Sequence, residues 1–144
     1  QGAGAQAAAT VQQEAGVHPG SGLEVIPLTV TTASGQRHPF RVEVAATSEQ
    51  QRQGLMFRTE MGPDEGMIFP FAQTRMASFW MRNTVIPLDI IFIGPDRKVL
   101  NIAENAVPYS LDSRASIAPA MAVLELNGGR AAELGIGPGA TVEW

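Results

Sequence analysis

Residues 88–93 read Leu88-Asp89-Ile90-Ile91-Phe92-Ile93, an almost unbroken apolar run one strand long. Alternation would mark a strand with one wet face. A continuous run marks a strand covered on both faces, as in a barrel or a sheet packed under loops. Gly94-Pro95-Asp96-Arg97 then supplies a turn and residues 98–102 return, so the run opens a hairpin. Any fold of this chain must bury that strand and must also house Asp89 inside it.

The rest of the chain is punctuated in the same way. Residues 23–32 are rich in β-branched side chains and are followed by the turn Ala33-Ser34-Gly35-Gln36, and Phe40, Val42 and Val44 then alternate with Arg41, Glu43 and Ala45. Thr47 or Ser48 with Gln50 or Gln51 resembles a capping box, opening a short helix that ends near Gly54. Gly62-Pro63-Asp64-Glu65-Gly66 is a turn. Residues 67–71, 79–81 and 122–126 read as strands, residues 129–134 as a short helix capped by Gly135, and 140–144 as a last strand after Gly137-Pro138-Gly139. With 15 Gly and 10 Pro, the composition favours turns over helices. The expectation is an α+β class, mainly antiparallel β: a compact β-barrel-like single domain over residues 23–144 with one or two short helices.

Residues 1–22 differ. They are dominated by Ala, Gly and Gln with one charged residue, Glu14, and are expected to be a disordered or weakly ordered tail. No basic segment followed by an apolar run opens them. Their composition is that of the linker behind a removed signal in exported bacterial proteins, so a periplasmic or otherwise exported location is expected. No run approaches the length of a transmembrane helix. Ten Lys and Arg against 14 Asp and Glu argue against nucleic-acid binding, which wants a basic stripe. The absence of Cys removes disulfides, thiol nucleophiles and thiolate metal sites. His18 and His38 lack partners at ligand spacing, and the Met residues lack the close pairs of a soft-metal site, so no metal or cofactor is expected. A monomer is favoured.

The informative residues are polar ones in apolar surroundings. Asp89 must meet a cation or several N–H donors, or else be neutral, because an unpaired buried carboxylate is expensive; Arg52, Arg58, Arg75 and Arg82 are the cations nearest in sequence. Glu125 shares one strand face with Val123 and Asn127, opposite Ala122, Leu124 and Leu126. If it turns to the side Asp89 faces, the two form a carboxylate pair of the kind used in acid–base chemistry. In Phe79-Trp80-Met81-Arg82-Asn83-Thr84, Trp80 is either core or a flat platform for a ring, with Arg82 and Asn83 beside it, and Asn83-Thr84 is either a ligand contact or a turn.

Several ordered blocks carry a family resemblance: Gln53-Gly54-Leu55-Met56-Phe57-Arg58, Glu65-Gly66-Met67-Ile68-Phe69, Phe79 to Thr84, Ile86-Pro87-Leu88-Asp89-Ile90-Ile91-Phe92, Val123-Leu124-Glu125-Leu126, and Gly129 with the Leu134-Gly135-Ile136 turn that runs to Gly139. Over roughly residues 24–144 the chain resembles the bacterial and archaeal domain-of-unknown-function family 192. It departs at Ala140, where that family usually has Asp. The resemblance implies a β-barrel-like fold, implies that exported members are common in proteobacteria, and implies no established reaction. It carries over Arg58, Trp80, Asn83, Asp89 and Glu125, with Arg52 just ahead of the first block. Three functions compete. The first is an exported domain binding a carbohydrate-like ligand through Arg52, Arg58, Trp80, Asn83, Asp89 and Glu125. The second is a hydrolase using Asp89 and Glu125 as acid and base, and the third is a non-catalytic interaction module whose polar residues form a structural network. Asp89 and Glu125 more than about 12 Å apart on opposite sheet faces would sink the first, and an Asp89→Asn variant that kept any detected activity would end the second.

Overall fold

The computed structural model describes residues 16–144. In chain order the elements are β1 (Gly16–Val17), β2 (Glu24–Thr31), β3 (Arg37–Val44), α1 (Ser48–Gln53), β4 (Glu65–Arg75), β5 (Ser78–Phe79), β6 (Leu88–Ile93), β7 (Val99–Ala106), β8 (Arg114–Ala115), β9 (Ala120–Asn127), α2 (Arg130–Leu134) and β10 (Thr141–Glu143). Eight strands form one sheet in the order β1-β2-β3-β4-β9-β6-β7, with β10 also on β2, and β5 and β8 form a separate two-stranded ribbon. The apolar run is β6, buried at every position. β9 lies on one edge of it and β7 on the other. Residues 16–22, the last part of the Ala/Gly/Gln-rich segment, supply β1 and a turn in which His18 Nδ1 accepts from the amides of Gly20 and Ser21. The rest of that segment lies outside the described residues.

All pairings are antiparallel except β3 with β4. Parallel neighbours need a crossover. Residues 45–64 provide it and carry α1, whose capping box is complete: Thr47 Oγ1 accepts from Gln50 N, and the Gln50 side chain accepts from Thr47 N. Gln51 holds the helix to the sheet, donating to the carbonyls of Ala45 and Pro70 at 2.9 and 2.7 Å.

The sheet curls but does not close into a barrel, which corrects the barrel-like expectation. β10 is only three residues long and pairs fully with β2; it meets the start of β7 at a single bridge, Lys98 with Thr141. Among the described residues no strand lies beside the outer edge of β7 beyond Val99, and residues 100–105 are partly or fully exposed. Both faces of the sheet are nevertheless covered. One carries a core that includes Val42, Ile68, Ile91, Leu124 and Leu126, closed by α2 through Ala131. The other carries Met67, Phe69, Ile90, Phe92 and Val123, closed by Leu55 of the crossover and by Met81. Residues 76–84 reach this second face beside the ribbon, where Ala77 and Ser116 exchange hydrogen bonds and Met81 N donates to Ser110 O.

Asp89 is fully buried, on the α2 side of the sheet. No cation reaches it. Instead Oδ1 accepts from Asn105 N at 2.8 Å and Gly129 N at 3.0 Å, and Oδ2 accepts from Ala131 N at 2.8 Å. Two of those donors are orphan amides at the entry to α2, whose own N-cap is Gly129, with no side chain to offer. Asp89 thus replaces the missing cap from across the fold. Gly128 makes the close approach possible: a Cβ there would meet the Asn105 side chain and the Pro87 backbone. Removing the Asp89 carboxylate takes the acceptor from one buried amide and two half-buried ones, so Asp89→Ala is expected to lose about 3–5 kcal/mol in urea-unfolding experiments. A loss below roughly 1 kcal/mol would contradict this role.

Candidate functional site

The register places the second buried carboxylate on the other face. Asp89 pairs with Leu126 and Ile90 with Glu125, so one residue of offset sends the two acids to opposite sides of the sheet. Glu125 belongs to a row that runs Glu43, Met67, Glu125, Ile90 across β3, β4, β9 and β6. β9 is interior to the sheet, and Glu125 is only 4% exposed. Among the described residues no side chain or amide donates a hydrogen bond to its carboxylate, and no cation pairs with it. Burial pushes its pKa up from the ordinary 4.5 to about 8.

Glu125 lies at the base of a cavity of about 320 Å³. Phe69, Phe79 and Thr84 line it beside Glu125, and α1 with the following turn contributes Gln51, Arg52, Leu55 and Met56. Arg75, Trp80 and Arg82 line it from the segment around β5. Phe79 is fixed by edge-to-face packing on Phe69 at 5.0 Å and Phe92 at 6.4 Å, so it is part of the core. Trp80 next to it is 46% exposed, with the Arg82 guanidinium 5.5 Å above its ring. Arg75 lies 4.0 Å over the ring of Phe71. The result is a half-apolar hollow with an unpartnered acid at its base and guanidinium groups at its mouth.

Of the residues singled out in the sequence, Arg52, Trp80 and Glu125 come together here. The other three do not. Arg58 forks onto Glu43, with Nη1 to Oε2 at 3.0 Å and Nη2 to Oε1, and Ser21 Oγ adds a 2.6 Å bond to the same carboxylate. Asn83 occupies the left-handed region at φ 55°, its carbonyl accepting from Phe57 N at 2.8 Å, which makes it a turn residue. Asp89 has both oxygens taken by backbone amides on the far face. The Asp89–Glu125 acid–base pair is therefore excluded by geometry. Sequence reading missed Glu43 and cast Arg75 only as a possible partner for Asp89. The alternation of β3 suggests a solvated Glu43, whereas the structure covers both faces there: Val42, Glu43 and Ala45 are all buried. Among the described residues no cluster of three or more His, Cys, Asp or Glu is placed to hold a metal ion.

The raised Glu125 pKa has a definite sign for stability. Below pH 4.5 the group is protonated in both folded and unfolded chains and contributes nothing. As the pH rises from about 4.5 to about 8, the unfolded chain ionises Glu125 while the native state keeps its proton, so stability falls and levels off above that window. At ~1.4 kcal/mol per pH unit, the full loss is about 3–5 kcal/mol. Glu125→Gln should remove this contribution and raise Tm at pH 8 relative to wild type while leaving Tm at pH 4 nearly unchanged. Tm curves that stay parallel from pH 4 to pH 9 would refute the assignment.

Comparison with known proteins agrees with this architecture. A protein of unknown function from Novosphingobium aromaticivorans DSM 12444 superposes with a TM-score of 0.88 at 62% identity, over 90% of this chain and 92% of that one. A second solved structure, from Sinorhizobium meliloti 1021 and described as a candidate transcription regulator, superposes with a TM-score of 0.79 at 45% identity, over 81% of this chain and 91% of that one. No curated protein matches the chain. Residues 29–144 match the sequence model of the domain-of-unknown-function family 192, described as Uncharacterized ACR. The chain belongs to that family.

Proposed function

We propose that the protein is a small-ligand-binding domain whose site is the cavity above Glu125, and that its ligand is a carbohydrate-like ring. One observation carries this reading: a carboxyl group 4% exposed opens onto a cavity with no partner for its hydrogen-bonding atoms among the described residues. The Glu125 carboxyl group turns to the cavity rather than to protein donors, so a group entering the cavity can reach it. A ligand hydroxyl at the base would supply the missing partner. Trp80 would stack on the ring, and Arg52 and Arg82 would reach ligand oxygens at the mouth.

The structural-network alternative accounts for Asp89 and Glu43, whose partners are all protein groups, but it leaves Glu125 unexplained. The description of the Sinorhizobium relative would point to nucleic acid, but ten basic against 14 acidic residues provide little phosphate affinity. The composition of residues 1–22 supports an extracytoplasmic location as part of the same proposal.

The test is a thermal-shift screen with monosaccharides and peptidoglycan fragments. A ligand at 100 times its Kd should stabilise the native state by about 2.7 kcal/mol. Its binding should quench the fluorescence of Trp80 in a Trp144→Phe background and be lost in Trp80→Ala. Trp144 is a suitable residue to replace, since it packs under Arg97, away from the cavity. A panel that moves neither Tm nor fluorescence would overturn the reading.

A further inference from the structure

The cavity mouth has a charge balance unlike the rest of the molecule. Arg52, Arg75 and Arg82 line it, and none of the three takes part in an ion pair among the described residues. Among the described residues Glu125 is the only acidic one lining the cavity, in a chain where acids outnumber bases by four. Three unpaired guanidinium groups around one opening repel one another, and a bound anion would relieve that repulsion. Arg75 and Arg82 also rest on aromatic rings, at 4.0 and 5.5 Å. A ring beneath a guanidinium positions it without using up its N–H donors, which stay available for a carboxylate or phosphate.

We infer that the ligand is an anionic sugar, one ring bearing a carboxylate or a phosphate, with the anion held at the mouth by Arg75, Arg82 and Arg52, the ring on Trp80, and a hydroxyl against Glu125. This rests on the ligand-binding reading above and adds the charge. A volume near 320 Å³ is at the small end of ordinary ligand pockets, which fits one ring and its substituent better than an oligomer. The buried acid at the base does not oppose the anion, because burial keeps its proton on at neutral pH, and its O–H can donate to a ring oxygen.

Isothermal titration at pH 7 and low salt, with galacturonate, glucuronate, glucose 6-phosphate, galactose, glucose and inorganic phosphate, tests this. The acidic sugars should bind at least tenfold tighter than their neutral parents, and their affinity should fall as NaCl is added. Comparison of the two uronates with glucose 6-phosphate identifies the preferred anion. The double variant Arg75→Gln/Arg82→Gln should weaken binding of the acidic sugar more than tenfold with Tm unchanged, since both side chains are exposed. Neutral sugars binding as tightly as acidic ones, or an undiminished double variant, would overturn the charge inference and leave the binding reading standing. Inorganic phosphate competing as well as glucose 6-phosphate would overturn the sugar ring. Failure of every sugar to bind would overturn both.

Discussion

The carboxylate of Asp89 ties three parts of the chain that would otherwise have no reason to stay together. It sits in the central hairpin strand β6, takes an amide from β7 at Asn105, and takes two more from the turn that leads β9 into α2. Without it the buried amide of Ala131 would be an unsatisfied donor, and the half-buried amides of Asn105 and Gly129 would lose their acceptor. Because the turn at Gly129 is locked to β6, β9 is held beside β6 in a fixed register. That register decides which way Glu125 points. A slip of β9 by one residue would carry Glu125 into the apolar core under α2, away from the cavity.

The three buried acids among the described residues show three different resolutions of the same electrostatic problem. Asp89 is satisfied by backbone amides and Glu43 by the fork of Arg58 with Ser21. Glu125 has no such partner and keeps its proton to well above the usual carboxylate range. Glu43 and Glu125 are two strands apart on the same face, about 10 Å at ~4.8 Å per strand. Met67 lies between them in the row. The contrast is informative because a folded chain gains nothing in stability from Glu125 at neutral pH.

Much of the architecture is written in short-range pattern. The unbroken run at Leu88–Ile93 announces a strand covered on both faces, and two separate cores do flank it. Thr47 and Gln50 announce the start of α1, and the alternation around Glu125 assigns its strand face correctly. What the pattern does not hold is anything set by chain crossings. The partner of Glu43 is fifteen residues away through a crossover, so no local rule separates it from a solvated acid. The guanidinium cluster forms because α1 and the segment around β5 converge on one opening, a juxtaposition invisible in spacing. The barrel expectation fails for a related reason: closure depends on how far β10 and β7 run alongside each other, and they meet at one bridge only. For Asp89 the letters leave a cation and a set of N–H donors as alternatives, and only the fold, which brings a turn's amides to it, decides for the second.

The pairing of β10 with β2 has a kinetic meaning. Thr141 lies opposite Thr31, so that ladder joins residues 110 positions apart, while β2 and β3 are joined by a short hairpin. Closing so long a loop is entropically slow compared with zipping a hairpin, and folds dominated by such contacts reach the native state late. Until that ladder forms, one edge of β2 at Thr29–Thr31 presents open hydrogen-bonding groups to any neighbouring strand. The most aggregation-prone species of this protein should therefore be one in which the hairpins are assembled and β10, with the Val142 that completes one of the cores, has yet to dock.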